Sequence, residues 1–179
     1  ASGVASEVGS DQAGTRSPGE VVILNGGIID MDSSRWYADS LWQNLNTAAR
    51  AAWNAGTSTV TFRQTGINTD YNWGGTTLGE AEFFDVVFDF TGTSATSSTW
   101  VTDGLWASGT VTIRDTSGGG TTIDNTGENL PFTANSIYVL NGGTLNMGTG
   151  NLVDFNRLEV SAGVFIMDTI QIGTAQTII

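Results

Sequence analysis

The sequence predicts an all-β fold, a single-domain β-solenoid that carries one amphipathic helix, and three observations lead there. Residues 23–31 read ILNGGIIDM and residues 139–147 read VLNGGTLNM, with a third version, VSAGVFIM, at 160–167. Leu24, Leu140 and Val160 then align, as do Met31, Met147 and Met167, and these are the only methionines of the chain. A rare residue sorted onto one position marks a structural repeat rather than a chance similarity of apolar strings. Second, 24 glycines with abundant Thr, Ser and Asn, but only two prolines, mark many turns between short strands. Third, a strand-turn-strand unit of about 20 residues cannot bury its own apolar face, whereas stacked units satisfy each other's backbone and align like side chains into internal ladders.

Length and composition narrow the chemistry. At 179 residues the chain suits one domain with a sizeable core. Six Lys+Arg against 18 Asp+Glu give a net charge of -12, which repels phosphate backbones and anionic lipid, so nucleic acid is not an expected partner. No run of about 18 apolar residues occurs, so no membrane span is expected. The chain has neither Cys nor His, which removes disulfides, thiolate metal sites, the Ser-His-Asp and Cys-His nucleophile systems and the commonest zinc ligands.

Taken in order, residues 1–19 are small and polar with no apolar period, and read as a flexible N-terminal arm ahead of a solenoid domain at 20–179. The first NGG coil follows. Between 37 and 56 the period changes: Tyr37, Leu41, Leu45, Ala48, Ala49, Ala52 and Trp53 recur at three and four, Ser40 and Gln43 have capping-box spacing, and Gly56 is a terminator. This predicts a helical insertion over 37–56. Thr59–Phe62 alternates as a strand, and a turn-rich stretch with Tyr71 and Trp73 comes after it. Phe83–Phe90 is an apolar strand interrupted by Asp85 and Asp89, and TGTSATSST at 91–99 reads as a polar loop. From Trp100 onward strands dominate. LWASGTVTIRDT at 105–116 can be laid on LEVSAGVFIMDT at 158–169, which suggests a fourth copy of the repeat. That alignment points Val164 and Ile166 inward, whereas the alternation of Leu145 and Met147 points them outward; a strand covered on both faces would satisfy both.

The segment AARAAWNAG followed by TSTVTF, together with the NGGTLNM-type coils, resembles the right-handed β-helix proteins: the pectate-lyase-like superfamily, autotransporter passengers and phage tailspikes. The resemblance covers residues 37–62 and 103–172. It implies coils stacked as a parallel solenoid with an Ala-rich helix capping the barrel.

Few residues suit a reaction. Arg114 and Arg157, or Asp85 and Asp89, are the candidates for lyase or hydrolase chemistry, against the plainer reading of solvated or edge-protecting charges. No catalytic site is expected. Asp32, Asp115 and Asp168 align after the repeat core, with Gly148 in the remaining copy. Such a row could hold Ca²⁺, or each Asp could close a turn by accepting from backbone N–H groups; otherwise no cofactor is expected. All six Trp fall between 36 and 106, and Tyr71, Trp73 and Trp100 are the candidate glycan-stacking patch.

Residues 169–179, TIQIGTAQTII, alternate as a strand that stops on two apolar residues. A strand edge and an apolar column left uncovered call for a partner, so Ile170, Ile172, Ile178 and Ile179 are the candidate self-assembly residues. The expected function is a non-enzymatic structural or adhesive subunit that assembles with its own copies on an extracellular, cell or virion surface as a filament, surface layer or fibre. The alternative is a carbohydrate-binding or polysaccharide-active β-helix module.

Overall fold

A computed structural model of the chain describes residues 20–23, 29–38, 41–44, 53–63, 82–90, 97–100, 105–124, 132–148, 153–166 and 177–179. The first coils contain β1 (Glu20–Ile23), β2 (Ile29–Asp30), β3 (Arg35–Ala38), β4 (Leu41–Asn44), β5 (Trp53–Asn54) and β6 (Thr59–Phe62). Next come β7 (Glu82–Phe83), β8 (Asp85–Asp89), β9 (Ser97–Trp100), β10 (Leu105–Arg114) and β11 (Thr121–Asp124). The last coils hold β12 (Phe132–Leu140), β13 (Gly143–Asn146), β14 (Val153–Ser161), β15 (Val164–Ile166) and β16 (Thr177–Ile178).

Every pairing among the described residues is parallel, between strands one coil apart, so the chain is a β-solenoid. The long sheet runs β16-β14-β12-β10-β8-β6-β3, with β7 also paired to β10, and a second sheet runs β15-β13-β11-β9. From β9 to β15 both sheets advance together, through about three complete turns. Two further pairs, β1-β4 and β2-β5, belong to the first coils.

Alternation within each strand builds the interior. In register across the long sheet, Trp36, Val60, Val86, Val111, Ile137, Leu158 and Ile178 form one column. Ala38, Phe62, Phe88, Ile113, Val139 and Val160 form a second. Ile123, Leu145 and Phe165 line the opposing sheet. The Trp36 column shows the coil length shrinking: its steps are 24, 26, 25, 26, 21 and 20 residues. Aromatics fill the wider coils, where Trp42, Phe62, Phe83, Phe88 and Phe90 are all fully buried. Phe62 and Phe88 stack at 5.2 Å, and Trp42 meets Phe62 and Phe83 edge-on at 5.8 and 5.7 Å.

The repeat holds where it was read most simply. Met31 and Met147 are both buried, and each donates its backbone N–H to the next coil, to Asn54 O and Ile166 O at 2.9 Å. The residues after them, Asp32 (φ 48°) and Gly148 (φ 59°), turn the corner in the left-handed region, as does Gly56 (φ 56°) one coil above Asp32. A Cβ on Gly56 would strike the backbone carbonyl of Asp32, so that corner of the stack requires glycine. Met167 lies outside the described residues.

Three expectations are corrected. The helix over 37–56 is not formed where the chain is described: residues 37–38, 41–44 and 53–54 are in β3, β4 and β5, while 39–40 and 45–52 lie outside the described residues. Ala38 and Trp42, which fit a helical stripe, also fit an inward strand position, and parallel pairing with Phe62 and Val21 decides between the periods. The polar stretch 91–99 ends as β9, since Ser97–Thr99 pair with Thr121–Ile123. The fourth copy also dissolves. LWASGTVTIR is one continuous strand of the long sheet, whereas LEVSAGVFI spans the end of β14, a corner and β15. The Ser108-Gly109 pair resembles a corner but is a mid-strand irregularity, where the register shifts between Ala107 and Thr110. Gly109 donates its N–H to Phe84 O at 2.9 Å, and a Cβ there would strike the Asp85 carboxylate.

Candidate functional site

Two surfaces concentrate the side chains that sequence chemistry singled out: a polar seam on the coils between 85 and 121, and the last rungs of the two sheets.

The seam is built from carboxylates that bind one coil to the next. Asp85 Oδ1 accepts from the N–H and hydroxyl of Thr110 at 2.7 and 2.8 Å. Asp89 is buried, pairs with Arg114 Nε at 2.8 Å through Oδ2, and accepts from the N–H and hydroxyl of Thr116 at 3.0 and 2.7 Å through Oδ1. The partners lie 25 or 27 residues further along the chain, one coil on, so these bonds act as staples along the stack. Thr121 and Ser117 extend the seam by accepting from Phe90 N at 3.0 Å and donating to Phe90 O at 3.0 Å.

Asp115 shapes the corner beyond β10. Its Oδ1 accepts from the N–H groups of Ser117 and Gly118 at 2.8 and 2.9 Å and from the Ser117 hydroxyl at 2.9 Å, and its Oδ2 accepts from Gly120 N–H at 2.9 Å. Partial burial pushes its pKa up, but the bonds from Gly120, Ser117 and Gly118 outweigh that and hold the carboxyl below its ordinary value of 3.8. This is a turn-closing role with the donors supplied by the protein itself. Asp32 is exposed and stands before β3, at the opposite end of the long-sheet strands from Asp115, which follows β10. The structure therefore does not bring Asp32 and Asp115 into one row, and Asp168 lies outside the described residues. Among the described residues no group of three or more acidic side chains is gathered for a metal ion.

The remaining lyase or hydrolase candidate, Arg157, is paired along its own strand. Arg157 Nη2 donates to Glu159 Oε2 at 2.8 Å, and its guanidinium lies 5.9 Å from the Tyr138 ring centroid. Of the glycan-stacking candidates, Trp100 is the last residue of β9, in register with Asp124. Tyr71 and Trp73 lie outside the described residues.

The last rungs differ in character. Among the described residues the exposed large apolar side chains are Tyr37 (48%), Val164 (50%), Ile166 (44%), Ile178 (55%) and Ile179 (61%). Four of the five belong to β15, β16 or the residue after it, and the fifth belongs to β3 at the far end of the long sheet. On β15 Phe165 packs inward on Leu145, so Val164 and Ile166 face out. The uniformly apolar VFIM was the signal for them, but two competing alignments left their direction open. Ile178 caps the column above Leu158, and Ile179 extends the pairing by donating to Leu158 O at 3.0 Å and accepting from Val160 N at 3.1 Å. Ile170 and Ile172 lie outside the described residues.

No protein-family model matches the chain, and the comparisons with curated proteins and with solved structures found no match. The likeness to β-helix repeat proteins therefore stands at the level of the solenoid fold.

Among the described residues no helix is long and apolar enough to cross a membrane.

Proposed function

We propose that the protein is a non-enzymatic structural or adhesive subunit that assembles with copies of itself into a filament, surface layer or fibre on an extracellular, cell or virion surface. The observation that carries this reading is the placement of exposed large apolar side chains: among the described residues they lie on the outermost strands of the sheets, β3, β15 and β16, and on Ile179 beside β16. Edge strands with apolar neighbours favour pairing with another chain unless they are charged, bulged or covered. The charged groups inside the stack support a structural role, because Asp85, Asp89 and Arg114 are spent on coil-to-coil bonds.

Sedimentation velocity over a concentration series, at low and moderate salt, tests the reading. A charge of -12 per copy makes copies repel, so oligomers are expected to grow with concentration and with ionic strength. A species that stays monomeric throughout would exclude the assembly role. Negative-stain electron microscopy of the same samples distinguishes filaments from sheets and closed rings.

A further inference from the structure

The chain holds two Asn-Gly pairs, Asn25-Gly26 and Asn141-Gly142, and the second turns the described corner between β12 and β13. The shape of that corner selects both residues. Asn141 sits in the left-handed region at φ 46°, which Asn enters more readily than most side chains, and Gly142 follows at φ 80°, where glycine is favoured. The same pair is chemically prone to attack itself, because glycine has no side chain to keep its amide nitrogen away from the Asn carboxamide. Both residues are exposed, so water reaches them. The peptide between them is nevertheless held from two sides. Asn141 O accepts from Asp115 N–H at 3.2 Å on the preceding coil, and Gly142 N–H donates to Ala162 O at 2.6 Å on the following one, beside a bond from Asn141 N–H to Ser161 O at 3.0 Å.

We infer that Asn141 is a self-modification site gated by the corner after β14, residues 161–163: it deamidates when that corner lifts and stays intact while the corner is docked. Gly142 N attacks Asn141 Cγ, the new Cγ–N bond closes a five-membered succinimide, and the Cγ–Nδ2 bond breaks. The Gly142 proton, passed through water, ends on the departing nitrogen, which leaves as ammonia. Water then opens the ring at either carbonyl, giving aspartate or isoaspartate. A nitrogen whose proton is held on Ala162 O cannot begin this sequence, so opening of the corner comes first. Isoaspartate routes the backbone through Cβ and adds a methylene to the turn. Either product also adds a carboxylate next to Asp115, whose Oδ2 lies 3.8 Å from where a Cβ on Gly142 would stand. Like charges on adjacent rungs are destabilising, so the modified corner docks less well and a transient opening becomes a lasting one. No second copy of the chain is needed.

The test incubates the full-length protein at mildly alkaline pH, folded and in urea, and follows the amide-to-acid mass change by peptide mapping. Trypsin releases Asn141 in the peptide 115–157, which contains no other Asn-Gly pair. Conversion is expected in urea, and in the folded protein it is expected to be slowed about tenfold or more, by at least the factor that protects the Gly142 N–H from hydrogen exchange. Gly163→Ala places a Cβ 2.7 Å from Val139 O and pushes the upper corner away, so this variant is expected to convert several-fold faster than the wild type with an unchanged far-UV circular dichroism spectrum. Asn141→Gln should abolish the signal. Conversion as fast in the folded protein as in urea, or none in either, overturns the inference, and so does a folded Gly163→Ala variant that exposes the Gly142 N–H to exchange yet converts at the wild-type rate. If that variant does not fold, the wild-type ratio of folded to urea rates still decides. The converted protein, separated by anion exchange, is expected to exchange its Gly142 N–H faster than the unconverted one; equal protection overturns the lasting loosening.

Discussion

The coils between 85 and 161 and the rungs at the ends of the stack are made from the same repeating unit, yet their outer surfaces follow opposite rules. In the middle, apolar residues face inward, and the outward positions mix polar side chains, several of them bonded to the adjacent coil, with the half-buried Val87 and Tyr138. At the ends, Tyr37, Val164, Ile166, Ile178 and Ile179 place apolar surface in solvent. A solenoid rung is stabilised by neighbours on both sides, so interior rungs are complete within one chain while terminal rungs lack half of their interface. The difference separates the residues that hold the stack together from those that leave apolar surface in solvent.

The largest effect that would sharpen this division is expected in the aromatic interior. Phe88 is fully buried between Phe62 and Phe90, and Phe88→Ala is expected to cost about 3–5 kcal/mol in urea unfolding while leaving the terminal surface intact. A loss below 1 kcal/mol would mean that the aromatic cluster is not the centre of the core. Next, Asp89→Ala leaves the hydroxyl and N–H of Thr116 and the Arg114 guanidinium without their acceptor. Arg114 is half exposed and regains water, so a cost of about 2–3 kcal/mol is expected.

Asp115→Ala removes the acceptor of three backbone N–H groups at a corner that water can reach, with an expected cost of about 1 kcal/mol. Its carboxyl is held below 3.8 in the folded chain, so the ionised form is the one that stabilises. That contribution is present in full above the ordinary carboxylate range and is lost as pH falls through the lowered folded value. Wild type and variant should therefore converge in thermal stability on acidification below pH 3.8, and a gap that persists there would point to a packing role instead. The smallest stability effect belongs to the double change Val164→Ser and Ile166→Ser, within about 0.5 kcal/mol, because both side chains face out. The same variant should raise the concentration needed for assembly; an unchanged threshold would take the β15 face out of any interface.

Much of the fold is legible in the sequence because the repeat repeats a physical requirement. Met31 and Met147 sit at equivalent buried positions, and Asp32 and Gly148 share a left-handed corner, as the aligned strings implied. Thr59–Phe62 is a strand with the alternation its residues suggest. Where two periods fit the same letters, composition could not choose. Tyr37, Leu41 and Trp53 recur at helical spacing, yet partners one coil away hold 37–38, 41–44 and 53–54 as strands. Corner and bulge are equally ambiguous. Ala162-Gly163 turns the chain between sheets, with Ala162 at φ 55°, whereas Ser108-Gly109 lies within a strand at a register shift, with the Asp85 carboxylate against Gly109. The turn-closing use of Asp115 was among the readings its sequence allowed, but its separation from Asp32 depends on the register, which side-chain letters alone do not carry.

The one-coil register also governs how the chain reaches its native state. Strand partners along the Trp36 column are 20–26 residues apart in a chain of 179, a separation of about 0.11–0.15 of its length, well short of the long-range closures that slow most β-rich proteins. Folding can start where the aromatic coils gain most from contact and advance one turn at a time in both directions, with the outermost strands joining last. The reverse order holds for opening. Amide protons of β16 and β3 should exchange before those of β10 and β12, which would make the outermost described strands the most adaptable part of the structure.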